Sequence, residues 1–396
     1  MDHNSGRPST GPDEVTDWLG AAAAIASITA VGIALGLGLP LLSVILERRG
    51  VSSTMIGLNT AVAGLASLIA TPLTTPLARR FGVRQTMMAC IVAASASALG
   101  FYYFTSLAAW FPLRLVFHFA VTTMFVLSEF WINTAAPPKR RGLVLGIYAT
   151  CLALGFAGGP FIFSQVGSQG LTPFALGAGI ILAAAIPLIA AWRREPPLEK
   201  SHRDAGFRRH IFSVPAATAA VLVFGAVEAG GFALFPIFGS RLGMDEASAA
   251  QLLTAVGLGS VALQIPIGLV SDRVRDRRHL LLLFALVGLA GSLALPFLSL
   301  NWWAMAAVLF VWGGVVAGLY TVGLAHLGSR LSGADLASAN AAFIFCYSIG
   351  MLVGPQWIGG AMDIFGSSGF AWSIASMFAA YFVFMAFRLA KTSGRT

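Results

Sequence analysis

Four ionisable side chains fall inside long apolar runs of this 396-residue chain: Arg114, His118 and Glu129 in one run and Glu228 in another. A charged group in an apolar medium is costly; it is kept where it moves protons, ions or solutes, or where it is paired. At about 100° per residue on a helix, His118 lies about 40° and Glu129 about 60° from Arg114. Thr122 lies about 80° away, so these polar groups share one helix face. Such a face should look into a cavity or onto another helix. Arg114 and His118 could relay protons or bind an anion, and pairing of Arg114 with a backbone carbonyl is the plainer reading. Glu228 precedes Gly230 and Gly231, with Pro236 after them, a pattern that predicts a broken or bent helix. A carboxyl in that setting can take up and release protons near neutral pH, or be neutralised by a partner such as Arg114.

The elements that carry these groups must be membrane helices. The chain is 57% hydrophobic and only 10% charged, against about 25% charged in soluble domains. A helix needs about 20 apolar residues to cross the hydrocarbon core. Twelve runs meet that length: 18–46, 55–77, 84–105, 108–132, 142–166, 171–192, 212–239, 247–270, 279–299, 302–326, 338–361 and 369–390. Basic residues test the assignment, because they collect on the cytoplasmic side. With the N-terminus inside, 21 of the 25 Lys and Arg fall in cytoplasmic segments and only Arg48, Arg49 and Arg241 fall outside. One more or one fewer span would scramble that split. An even number of spans follows, with both ends cytoplasmic in a bacterial inner membrane. The polar stretch after the sixth run divides the chain: a disordered tail (1–17), a six-helix bundle (18–192), a central cytoplasmic loop (193–211), a second bundle (212–390) and a short tail (391–396). The expected fold class is an all-α membrane protein of twelve helices in two pseudo-symmetric bundles.

Other chemistries leave little trace. Cys90, Cys151 and Cys346 lie in apolar runs with no metal-ligand spacing, and behave as small apolar residues. The Met residues are scattered, which argues against a copper or other metal carrier. The net charge of +9 is spread in short clusters between apolar runs, which suits a bilayer rather than a nucleic acid. Neither HExxH, GxSxG, Walker A nor GxGxxG occurs, so no enzymatic activity, cofactor or metal is expected. The expected partners are the lipid bilayer and a small-molecule substrate, with the protein acting as a monomer.

The two bundles are related in sequence. At an offset of 193, Arg48, Gly50, Gly64, Leu65, Ser67, Arg80 and Arg84 match Arg241, Gly243, Gly257, Leu258, Ser260, Arg273 and Arg277. At an offset of 195, Cys151, Gly155, Gly159 and Pro160 match Cys346, Gly350, Gly354 and Pro355. Parallel repeats about an axis along the membrane normal leave a cavity between them.

The loop after the eighth run, with Gly268, Asp272, Arg273, Arg277 and Arg278, resembles the G-x-x-x-D-R-x-G-R-R signature of the major facilitator superfamily. The loop from Thr75 to Arg84 keeps Arg80, Gly82 and Arg84, but has Thr75 for the first Gly and Arg79 for the acid. Gly155, Gly158, Gly159 and Pro160 resemble part of that family's antiporter-associated motif, and Gly350, Gly354, Pro355, Gly359 and Gly360 form a fuller run. Glu129, Trp131 and Asn133, followed by Arg141 and Gly142, resemble an E-x-W-x-N run of a bacterial subgroup of facilitator permeases. Arg114 sits where the superfamily often keeps an Arg in its fourth helix.

The resemblance implies two bundles that rock about a shared cavity and carry a small organic solute by alternating access. The proton gradient is the expected energy source and export the favoured direction. Proton-linked uptake is the alternative. Glu228, Arg114 and His118 are the candidates for coupling or the substrate cavity. Glu129, Arg80, Arg84, Asp272, Arg273 and Arg277 are the candidates for a cytoplasmic gate, with Glu129 reaching toward Arg80 and Arg84. Asn59, Gln264, Tyr320, Asn340, Tyr347 and Gln356 are further polar residues suited to a cavity or to joining helices.

Overall fold

A computed structural model describes residues 18–136, 141–193, 195–196, 211–298, 301–331 and 333–393. The tail 1–17, Lys139, Arg140 and most of the 193–211 loop lie outside the described residues. The described chain folds as twelve helices long and apolar enough to cross a membrane. They are α1 (Trp18–Arg48), α2 (Ser53–Phe81), α3 (Val83–Tyr103), α4 (Leu107–Ala135), α5 (Arg141–Val166) and α6 (Thr172–Ala190). The second half holds α7 (Pro215–Arg241), α8 (Glu246–Arg273), α9 (Arg277–Ala294), α10 (Trp302–Gly328), α11 (Gly333–Phe365) and α12 (Ser367–Ser393).

Local chemistry explains the ends. Ser52 caps α2 by accepting from the Met55 amide, and Asp245 caps α8 by accepting from the Ser248 amide at 2.8 Å. These caps satisfy amides left without helical partners. The turns before them pass through Gly50 at φ 76° and Gly243 at φ 84°, a region in which only glycine is free of strain. α6 is interrupted at Ala184. Pro187 lacks the amide that would continue the ladder there. Of the break or bend expected in α7, no break occurs: the helix is continuous through Gly230, Gly231 and Pro236. Its glycine serves packing instead, since a Cβ on Gly230 would press on Pro355 and Ile358 of α11.

The contacts follow the repeat. α1 packs on α5 as α7 packs on α11, α2 on α4 as α8 on α10, and α3 on α6 as α9 on α12. The halves meet through two equivalent pairs, α2 with α11 and α8 with α5. Matched glycines sit at the crossings. A Cβ on Gly155 or Gly159 would strike the α1 backbone at Thr29, Gly36 and Leu37, and one on Gly350 or Gly354 would strike the α7 backbone at Leu222 and Ala226. Between the halves, Gly64 meets Leu352 and Gly257 meets Ala157. Helices in lipid gain little from apolar burial against each other, so close backbone approach supplies much of their attraction. The outer faces present large apolar groups such as Ile186, Phe297, Trp303, Ile364 and Phe387, the surface that lipid solvates.

Gly354→Leu should therefore lower the melting temperature of the detergent-solubilised protein sharply, with a loss of at least about 1–3 kcal/mol from overpacking. Gly158→Ala should leave it unchanged, because no atom lies within 4 Å of the added carbon.

Candidate functional site

Close packing of α7 on α11 places the central carboxylate. A Cβ on Gly225 would sit on the Tyr347 carbonyl oxygen, so only glycine lets Tyr347 come so near. One turn further on, the Tyr347 hydroxyl donates to Glu228. Phe224 lies 5.7 Å from the Tyr320 ring and 6.0 Å from the Tyr347 ring, and Tyr320 lies 5.3 Å from Phe343. Glu228, Phe224, Tyr320 and Tyr347 are all half-buried. The second half thus presents one carboxylate within a wall of aromatic rings.

The first half faces it with Tyr148 and Glu129. Tyr148 and Ser128 share a hydrogen bond of 2.9 Å between α5 and α4. Tyr320 lies within electrostatic reach of both Glu129 and Glu228, one from each half. Among the described residues no ion pair joins Glu129 to Arg80 or Arg84. Arg84 is taken by the turn after α6: its guanidinium donates to the Trp192 carbonyl at 2.6 Å and lies 3.2 Å over the Trp192 ring. Arg80 lies 5.2 Å from the Phe81 ring.

Arg114 and His118 are sealed within the first half, at 0% and 3% exposure. His118 Nδ1 lies 3.1 Å from the Arg114 carbonyl. All three guanidinium nitrogens of Arg114 and Nε2 of His118 are without hydrogen-bond partners, as are both amide atoms of buried Asn59 on α2. Among the described residues no ion pair joins Arg114 to Glu228; Tyr347 holds that carboxylate instead. Arg114 shares a face with Glu129 but lies about four turns away along α4. Leaving such donors unsatisfied costs stability.

At the end of the bundle that carries the start of α1 and the end of α12, two arginines bond to acids of their own half. Arg277 lies 3.3 Å from Asp272 and donates to Ser271 at 3.0 Å, and Arg273 closes α8. Asp276 caps α9 and takes Arg278 at 2.7 Å. Hydrogen bonds from Arg278 hold the Asp276 carboxyl below the usual carboxylate range. The helix-packing residues sit at crossings as described; Pro355 also abuts Gly57 of α2 across the halves. Gln264 bonds Thr321, Gln356 bonds its own helix at Leu352, and His326 is buried at the end of α10. Phe224, Phe343 and Tyr148 carry no sequence signal that separates them from ordinary core aromatics.

Comparison with known proteins matches this architecture. The sequence profile of the Major Facilitator Superfamily matches residues 18–253 and 220–395. The chain is 26% identical over 347 residues to the uncharacterized MFS-type transporter YfkF of Bacillus subtilis, covering 85% of this chain and 87% of that one. It is 23% identical over 335 residues to the uncharacterized MFS-type transporter YcaD of Escherichia coli, covering 84% and 86%. Its fold is similar to the nucleoside transporter NupG, with TM-score 0.73 at 14% identity over 94% of this chain and 98% of that one. It is also similar to a bacterial homolog of the human lysosomal transporter Spinster in an inward-facing, unoccupied conformation, with TM-score 0.69 at 15% identity over 95% and 96%.

Two outcomes follow from this geometry. Arg114→Met removes unsatisfied buried donors at similar volume, so the melting temperature should hold or rise while transport falls at least tenfold; loss of both would make Arg114 structural. Asp276→Asn should cost about 0.5–1 kcal/mol near neutral pH. Because the folded carboxyl is depressed, its contribution is present above the unfolded value and is lost as pH falls through the folded one. The difference between the two proteins should therefore shrink in thermal melts as pH falls below the ordinary carboxylate range.

Proposed function

The chain belongs to the Major Facilitator Superfamily and is a multi-pass secondary transporter, and on that premise we propose that it exchanges protons for a small amphipathic organic cation. The carrying observation is the half-buried Glu228, held by Tyr347 among the rings of Phe224 and Tyr320. Glu129 of the other half adds a second carboxylate within reach of Tyr320. Acid and aromatic faces together suit an amine with an apolar body. A carboxylate that holds either a proton or a cation, and not both, couples their movement in opposite directions. Export is then driven by protons returning to a cytoplasm that faces the chain termini. The clustering of basic residues on that side supports the orientation, and the bacterial relatives support a cytoplasmic membrane. No cofactor beyond the proton gradient enters this reading, which takes the monomer as the working unit.

The unpaired donors of Arg114 favour a second reading, proton-linked uptake of an anionic solute. A thermal-shift screen separates the two: stabilisation by hydrophobic amines supports the first and stabilisation by organic anions the second. For coupling, Glu228→Gln in proteoliposomes should abolish flux driven by a pH gradient while counterflow continues. Full gradient-driven transport by that variant would remove Glu228 from the role.

A further inference from the structure

The described polar contacts between the halves crowd the end of the bundle opposite the termini. There the repeat carries more than packing. Arg48, at the end of α1, pairs with Glu246 at the start of α8 at 2.6 Å, and Ser168 after α5 donates to the same carboxylate at 2.9 Å. Arg241, at the end of α7, donates to the Ser53 hydroxyl at the start of α2 at 2.6 Å. Asp363, near the end of α11, accepts from the Ser53 and Thr54 amides at 2.9 and 2.8 Å. The repeat offsets that relate Arg48 to Arg241 and Pro160 to Pro355 also relate Ser53 to Glu246 and Ser168 to Asp363. At these equivalent places each cluster holds one Arg, one acid and one Ser, with acid and Ser exchanged; Arg241 also pairs across the halves with Glu47 of α1 at 3.6 Å, where the repeat has Ser240 in the second half.

We propose that these two clusters, Arg48–Glu246–Ser168 and Arg241–Ser53–Asp363, are paired latches that close the distal gate of the transport cycle, equivalent by symmetry but with acid and hydroxyl swapped. Every bond named in them crosses from one half to the other, so both must break for that end to open. Arg48 and Arg241 keep 47% and 31% of their side chains exposed, so each latch is wet and individually weak. That suits a gate that must open and close on each turnover, because a two-state element works only when neither state is deeply favoured. Asp363 also acts as a helix cap supplied from the opposite half, where its charge meets the positive end of α2. The inference is independent of which ion or solute is carried.

The test uses Ala63→Cys as a reporter in a background lacking Cys90, Cys151 and Cys346. Ala63 is fully buried where α2 meets Ala229 of α7 and Met351 of α11. Purified protein in nanodiscs is labelled with a polar maleimide. Asp363→Ser and Glu246→Ala should each speed labelling about tenfold, and together more than either. The variant combining Ser53→Glu with Asp363→Ser rebuilds the arrangement of the other latch, and should bring labelling back to within about twofold of the parent while Ser53→Glu alone does not. Melting temperatures guard against misfolding, and rescue by the paired change is a result that a merely damaged protein does not produce. Unchanged labelling in both single variants, or a paired change no slower to label than Asp363→Ser alone, would overturn the proposal.

Discussion

Backbone meeting backbone at glycine is the contact on which the rest of this protein depends. In lipid, apolar burial between helices contributes little beyond what the tails already offer, so affinity comes from close van der Waals approach and a few polar bonds. Gly155 and Gly159 set α5 on α1, and Gly350 and Gly354 set α11 on α7. The same approach, at Gly225, brings Tyr347 to Glu228. The site is thus a by-product of helix packing, and a change that swells the crossing displaces the carboxylate's partner before it touches the carboxylate.

The two halves are held together differently from the way each is held within itself. Inside a half, glycine crossings join α1 to α5 and α7 to α11. Between halves, Gly57, Gly64 and Gly257 make equally close contacts, and polar groups concentrate at one end. Bonds that are partly wet are cheap to exchange for water, whereas seams of close-packed backbone are not. The wet bonds at that end are therefore the contacts between the halves that water replaces most readily. At the other end, Arg84 with Trp192 and Arg277 with Asp272 bond inside their own halves, so nothing in those pairs resists separation there.

Buried polar groups are distributed unequally. Glu228 has a hydroxyl donor, while Arg114, His118 and Asn59 keep unsatisfied atoms. A membrane protein tolerates such a cost where the group has work in another state of the cycle. The first half stores that cost in a sealed interior and the second half presents its acid to the shared space, so the repeat that made the two bundles alike in backbone has let them diverge in chemistry.

Helix count, the six-plus-six division and the location of intramembrane charge were legible in the residues alone, because hydrophobic length and basic clustering act locally and along the chain. The glycine matches were legible too, since a repeat in sequence is a repeat in packing. A break or a bend was expected in α7, and the helix is not broken: Gly230 carries the same local signal whether it loosens a helix or admits a neighbour, and here it admits Pro355 and Ile358. Partner choice was likewise out of reach. Glu228 took Tyr347 rather than Arg114, Arg84 took Trp192 rather than Glu129, and Ser53 met Asp363 some 310 residues away. Such pairings depend on helix rotation and tilt between bundles, which periodicity along one strand of sequence does not encode. Composition and spacing thus determined that the chain spans lipid as two related bundles with charge at their heart; tertiary packing decided which charges meet, because a contact between distant residues exists only once the helices that carry them have been set against each other.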